Sequence, residues 1–311
     1  MRELLRSTKA YRAIASDAQS GRRSHAYLVL FPDETYLRAL LRECAKAFFG
    51  AKDSSREAEL IGEEIYSDCL YLPAAGAKLT VDDGARIVDE SLLRPVEGDK
   101  KLFVLDNFHN ASALVQNKLL KVLEEPPEGV HFLIGATAAF SVLPTVLSRV
   151  KKLEEPPFSE EAVLKALSEK YPGKDVRACA AASGGVFSAA ELLLNGGGEE
   201  FRLAREFLSG QDTERLCRAL DDKRDKRAFF SAVRLALRDM LFYREGRGDL
   251  AALGGEVRAL AEEYPIGAIL SSLDWVTEAE KQLKFNANFQ QCAEVLALHI
   301  SKEKEKWQKL S

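Results

Sequence analysis

Long apolar runs are missing from this 311-residue chain: no stretch approaches the roughly 18 to 20 residues that a membrane-crossing helix requires. The opening residues Met1, Arg2 and Glu3 begin an amphipathic stretch, where a secretory leader would carry an apolar core. A cytoplasmic protein with no membrane partner is the expectation. Cysteine is sparse and scattered. The five cysteines, Cys44, Cys69, Cys179, Cys217 and Cys292, include no two closer than 25 positions, which excludes a Cys-x-x-Cys redox pair or zinc knuckle. No metal is expected, and the thiols read as small buried hydrophobes. Nor is there an excess of one charge. With 44 Lys and Arg against 48 Asp and Glu the net charge is -4, so the chain is not a free-standing polyanion binder, and any nucleic-acid contact must be local or shared. What is present is 46% hydrophobic and 30% charged residues, the balance of a folded protein. The length allows about two to three domains.

Between residues 25 and 153 short apolar runs alternate with longer amphipathic ones, the pattern of strands covered by helices. The runs at 26–31, 69–72, 101–105, 131–136 and 150–153 predict parallel strands buried on both faces. Amphipathic stretches at 35–48, 81–92, 112–123 and 141–147 predict the crossover helices, giving an open α/β sheet of about five strands. The prolines of Glu154-Glu155-Pro156-Pro157 end that pattern. Three short helices are expected across 159–195, opened by Ser159 and stopped by Asn195-Gly196-Gly197-Gly198. From Glu199 onward the pattern is all-α, broken at 246–248, Gly254-Gly255 and Tyr264-Pro265. The expected division is therefore 1–155, 156–197 and 198–311. In the last part Trp275, Phe285, Phe289 and Trp307 recur with apolar residues at helical spacing. They are expected in the core, with some at a subunit interface. Near the N-terminus Arg2, Arg6, Lys9, Arg12, Arg22 and Arg23 outnumber Glu3 and Asp17. Without interleaved aromatics this reads as a solvated helix face near a partner.

The most informative segment is 117–127, Asn-Lys-Leu-Leu-Lys-Val-Leu-Glu-Glu-Pro-Pro. Val115, Leu119, Val122 and Leu123 share one helical face, Asn117, Lys118 and Lys121 lie off it, and Pro126-Pro127 stop the helix. Periodicity alone makes this an ordinary amphipathic helix. The residue identities add more, together with Ser-Gly-Arg-Arg-Ser-His-Ala-Tyr-Leu at 20–28, Phe-Leu-Ile-Gly-Ala-Thr at 132–137 and Leu-Pro-Thr-Val-Leu-Ser-Arg-Val at 143–150. In order and spacing these closely resemble the Leu-Glu-Glu-Pro-Pro helix, first strand, sensor 1 strand and Ser-Arg-Cys segment of bacterial clamp-loader AAA+ subunits of the gamma/delta-prime type. The resemblance covers residues 1–195. It implies a RecA-like AAA+ parallel sheet, a helical lid and a C-terminal helical collar.

The departures from that family are as informative. A phosphate-cradling loop needs glycines for close backbone approach and a Lys followed by Ser or Thr. The corresponding segment here, Phe31-Pro32-Asp33-Glu34-Thr35-Tyr36-Leu37, has neither glycine nor lysine and sets two carboxylates where a polyphosphate would sit. Asp106 stands where the family holds Mg²⁺, but Asn107 replaces the Glu that would activate water, and an amide is a poor general base. His109 could in principle stand in for it, although a strand-end histidine is more often structural. Ser188 stands where the lid would offer a sensor 2 arginine, and Thr137 at the sensor 1 position reads as a satisfied strand-end hydroxyl. The family's four-cysteine zinc module is missing. No bound nucleotide, cofactor or intrinsic ATPase activity is therefore expected, and Asp106, Asn107, Thr137 and Ser188 are vestigial positions.

Arg149 is retained, with Ser148 supporting it. From the residues alone it is either an ion-pair partner of Glu154 or Glu155 or a cation that stabilises phosphate charge on a neighbouring subunit. The resemblance implies the second, an arginine finger acting in trans. It further implies a stator role beside gamma or tau and delta subunits, the sliding clamp and primed DNA. An ATP-binding motor of the same family, a divergent delta subunit and an AAA+-derived adaptor outside replication are the alternatives.

Overall fold

The computed structural model describes residues 1–195, 198–210, 216, 226–251, 253, 255–284 and 287–309. The expected stop at Gly196-Gly197, Cys217, Gly254 and Phe285 lie outside the described residues. The chain divides into two units, Met1–Ala162 and Val163–Ser311.

Five runs of the first unit form strands β1 (Ala26–Leu30), β2 (Cys69–Leu72), β3 (Lys101–Leu105), β4 (Val130–Ala136) and β5 (Lys151–Glu154). They pair in parallel in the order β2-β3-β4-β1-β5. Strand β5, Lys-Lys-Leu-Glu, is largely exposed and not buried on both faces as expected, because it lies at the sheet margin with only β1 beside it. Strand alternation splits the core in two. Leu28, Phe103, Phe132 and Ile134 pack on one face with Ile87 of α5 (Val81–Ser91) and Val115, Leu119 and Leu123 of α6 (Ala113–Glu124). Tyr27, Val29, Leu102, Val104 and Leu133 pack on the other with α2 (Lys9–Gln19) and with Leu37, Leu41, Cys44 and Phe48 of α3 (Glu34–Phe49). This is the expected α/β class. Phe103 and Phe132 stack across β3 and β4 with centroids 5.4 Å apart. Gly135 lets α3 lie close, because a Cβ there would stand 2.7 Å from the Leu41 Cδ1.

Two local readings of the sequence are corrected. The helix expected over 141–147 is a 3-10 turn, Ala139–Ser141, followed by the short helix Pro144–Leu147, because Pro144 has no backbone donor and starts a new helix. The short helix α4 (Arg56–Gly62), capped by the Ser55 side chain, was not expected from the pattern. The N-terminal cations are also engaged. From the short helix α1 (Arg2–Arg6), Arg2 and Arg6 reach the buried Glu43, at 3.7 and 2.6 Å, and Arg6 also pairs with Asp53.

Helix α2 is tied to both ends of β5. The buried Glu155 carboxylate accepts the backbone N–H groups of Lys9, at 3.0 Å, and Ala10 at its N-terminus. Towards the other end Asp17 accepts from the Lys151 ammonium at 2.6 Å and the Tyr27 hydroxyl at 2.8 Å.

The turn into β4 depends on Gly129, whose φ is +77° and whose missing Cβ would stand 2.5 Å from the Asp99 carbonyl oxygen. Gly50, at φ +73°, has open space at the same position. Gly50→Ala is expected to cost about 1 kcal/mol from backbone conformation alone. Gly129→Ala adds a backbone clash and is expected to cost about 3 kcal/mol. Urea denaturation of the two variants checks the difference, and equal losses would refute this account of Gly129.

In the second unit short helices Arg177–Ala182 and Phe187–Leu194 follow the helix Glu160–Lys170. Longer helices then include Lys226–Arg244, Ile266–Lys284 and Phe289–Gln308. Phe207, Phe229, Phe230 and Phe289 form an edge-to-face cluster in their core. Trp275 and Trp307 are half-buried against it, and Trp275 stacks on His299. Among the described residues no helix is long and apolar enough to cross a membrane.

Candidate functional site: a closed phosphate position and an arginine at the sheet edge

The segment from β1 to α3 is where a parallel α/β sheet of this order would cradle a phosphate. Here Asp33 is buried and caps α3, accepting the Tyr36 N–H at 3.3 Å, so the chain's own carboxylate takes the place of an anionic ligand. Behind it, Asp106 ends β3 with one oxygen accepting the Asn107 N–H at 2.8 Å. Its other oxygen is 3.2 Å from Arg38 Nη1, which also donates to the Pro73 carbonyl at 3.1 Å. The rest of the Arg38 fork grips Glu64, with Nε at 2.8 Å, and Arg42 Nε donates to the same carboxylate at 2.7 Å. Burial would raise the Glu64 carboxyl, but its hydrogen bonds from Arg38 and Arg42 hold it below its usual range. Burial likewise opposes the Arg38 charge, and the two carboxylates keep that guanidinium above its ordinary value.

This arrangement does not fit a magnesium-bound nucleoside triphosphate. The carboxylate suited to the metal is 4% exposed and neutralised by an arginine that is itself 13% exposed. The α3 N-terminus is closed by Asp33. Asn107 adopts a left-handed backbone, and its Oδ1 is buried without a partner. The His109 ring, 6% exposed, accepts the Thr137 N–H at Nδ1 over 3.4 Å and turns Nε2 towards Glu34 Oε1 at 3.5 Å. Asp106, Asn107 and Thr137 thus gather at the strand ends beside the start of α3. Ser188 sits in the first turn of the Phe187–Leu194 helix of the second unit.

Arg149 is positioned from the motif helix α6. From α6 the buried Gln116 donates to the Ala111 and Ser141 carbonyls, at 3.1 and 3.0 Å, and accepts the Leu143 N–H at 2.8 Å. That fixes the chain entering α7 (Pro144–Leu147), which ends at Ser148 and Arg149. Arg149 Nη1 donates to the Thr145 carbonyl at 2.8 Å and to Ser148 Oγ at 3.1 Å, so the two expected partners, Ser148 and Arg149, do meet. Nη2 pairs with Glu124 Oε1 at 3.0 Å, at the end of α6. His25 Nε2 donates to the Arg149 carbonyl at 2.8 Å.

The ion-pair partners expected for Arg149 from sequence are thereby corrected: Glu154 pairs with Lys152 and Glu155 caps α2, while Glu124 takes the arginine. Glu124 lies far upstream and meets Arg149 only because α6 and α7 pack side by side, which periodicity does not reveal. His25, Leu123, Glu124, Ser148 and Arg149 line an open concavity of about 410 Å³.

The family model for the DNA polymerase III delta subunit matches residues 6–165, just over half of the chain. The chain is 32% identical over 135 residues to DNA polymerase III subunit tau/gamma of Haemophilus influenzae, covering 41% of this chain and 20% of that protein. It is 31% identical over 147 residues to subunit tau of Escherichia coli K12, covering 44% and 22%. It thus spans about a fifth of the length of these relatives. A solved gamma subunit-related protein from Thermotoga maritima aligns with 93% of this chain and 99% of that one, at 18% identity and a TM-score of 0.45. The likeness carried by residues 117–127 and their companions therefore holds: the chain belongs to the DNA polymerase III delta subunit family.

Proposed function

We propose that this chain is a non-hydrolysing stator of a bacterial DNA polymerase III clamp loader, of the delta-prime type. In that role it helps load the sliding clamp on primed DNA, beside gamma or tau and delta subunits, in the cytoplasm at the replisome. The observation that carries this reading is a contrast within one domain. The phosphate position is closed by Asp33 and by the Arg38, Glu64 and Asp106 ion pairs, whereas Arg149 remains at a partly exposed edge with its supporting shell intact. A chain that cannot bring its own nucleotide to that arginine can still present the arginine to a nucleotide held by a neighbour. There its planar fork would stabilise the charge that builds on the transferring phosphoryl group. Residues 156–197 then form the lid and 198–311 the collar that holds the chain in the ring.

The rival is an ATP-binding gamma-like motor, which the likeness to tau and gamma proteins favours. Direct titration separates the two. The isolated chain is expected to show no saturable binding of magnesium-ATP, with any Kd weaker than about 1 mM. Calorimetry giving a micromolar Kd would overturn the stator reading. Affinity purification of the full chain from its cells is expected to recover clamp-loader subunits, and recovery of a different set of partners would favour an adaptor outside replication.

A further inference from the structure

The motif helix α6 ends on Glu124 and Glu125 ahead of Pro126-Pro127. This is an unfavourable place for carboxylates, because the last turn of a helix exposes its negative dipole end, where a cation is preferred. Arg149 supplies that cation at 3.0 Å from Glu124. The pairing also uses up the arginine's own donors. Both Nη1 hydrogens are directed at Thr145 and Ser148, Nη2 is committed to Glu124, and Nε is buried without a partner. A guanidinium grips an anion best through two parallel donors of its fork. In this chain the donors that remain are the buried Nε and a share of Nη2, so a second anion cannot be gripped until Glu124 gives way. The pair itself stands at the open concavity, with the Glu124 side chain 57% exposed and the arginine 30% exposed.

We propose that Glu124 is an electrostatic latch on Arg149. It holds the guanidinium folded onto its own chain and releases it to a polyphosphate presented by a neighbouring chain. The proposal rests on the reading that Arg149 acts in trans. Once a triphosphate approaches, a carboxylate within ion-pair distance of the same guanidinium both competes for the fork and repels the incoming anion. The latch therefore raises the ATP concentration at which the neighbour's site responds. It ties that response to assembly, since a docked neighbour brings the polyphosphate that displaces the exposed carboxylate.

The test is ATP hydrolysis by the reconstituted loader, containing the full chain as parent, Glu124→Gln, Arg149→Ala or both substitutions, with ring assembly checked by sedimentation. Glu124→Gln keeps the shape and a carbonyl acceptor while removing the charge. It is expected to lower the half-saturating ATP concentration about two- to fivefold, the range an exposed ion pair supplies. That decrease should vanish in the Arg149→Ala background. An unchanged half-saturation in a ring that does need Arg149 overturns the latch alone. So does a decrease that persists without Arg149, or a fall in saturating turnover that matches Arg149→Ala, which would make Glu124 a support and not a restraint. If Arg149→Ala leaves turnover untouched in an intact ring, the trans reading fails and the latch falls with it.

Discussion

Arg149→Ala is expected to lower hydrolysis at the one neighbouring site it faces by about 10³-fold, the low end of what an arginine supplied in trans contributes. Turnover of the whole loader falls by less where other sites work independently of this chain. The effect is assigned to the transition state and not to folding. The Arg149 side chain is partly exposed and its ion pair with Glu124 lies at the surface, so its removal costs the isolated chain no more than about 1 kcal/mol. Arg149→Lys is expected to recover little, since an ammonium lacks the planar fork that addresses two phosphate oxygens together. Stimulated ATP hydrolysis with and without primed DNA and clamp, in rings of verified composition, checks the result. Unchanged turnover would make Arg149 a structural residue of the α6–α7 contact.

Arg38→Met is expected to cost about 3 kcal/mol of stability. Arg38 is the guanidinium shared by Asp106 and Glu64, whose side chains are 4% and 17% exposed. Removing it leaves one buried carboxylate without a counter-charge and the other with Arg42 alone. The loss depends on pH in a definite direction. Folding holds the Glu64 carboxyl below its ordinary 4.5, so its contribution is complete above that value and disappears as the pH falls through the lowered native value. The gap between parent and variant is therefore widest near neutrality and narrows in acid below about pH 4.5. Urea denaturation of the first unit at a series of pH values measures it. A loss under about 1 kcal/mol, or a gap that ignores pH, would show that Asp106 and Glu64 do not depend on Arg38.

Much of this molecule is legible in its sequence, for physical reasons that also mark where legibility ends. The inner strands are short apolar runs because parallel strands inside a sheet are buried on both faces, so β1, β3 and β4 stand out as Ala-Tyr-Leu-Val-Leu, Lys-Leu-Phe-Val-Leu and Val-His-Phe-Leu-Ile-Gly-Ala, whereas the marginal β5, Lys-Lys-Leu-Glu, does not. The missing glycines and lysine of a phosphate loop are visible in the segment from Phe31 to Leu37 itself, since they are local requirements. What replaced them is not visible. Arg38 looks like any cation one turn into an amphipathic helix, and its partners Glu64 and Asp106 are brought to it only by the crossovers between β1, β2 and β3. Glu124 was hidden in the same way, inside a motif whose helix and proline stop were both readable. Long-range ion pairs carry no periodicity, and here they decide the chemistry of both the closed position and the open edge.

The tie between α2 and β5 bears on how chains of this kind can associate. A parallel sheet has two free margins, each a row of backbone groups on which a foreign strand could crystallise into a continuous, self-propagating sheet. On the β5 margin that hazard is blunted: the strand is four residues long, carries Lys151 and Lys152, and is fastened to a helix by Glu155 and Asp17. Neighbours meeting the chain on that side are left with side chains to recognise. Such recognition is reversible and selective.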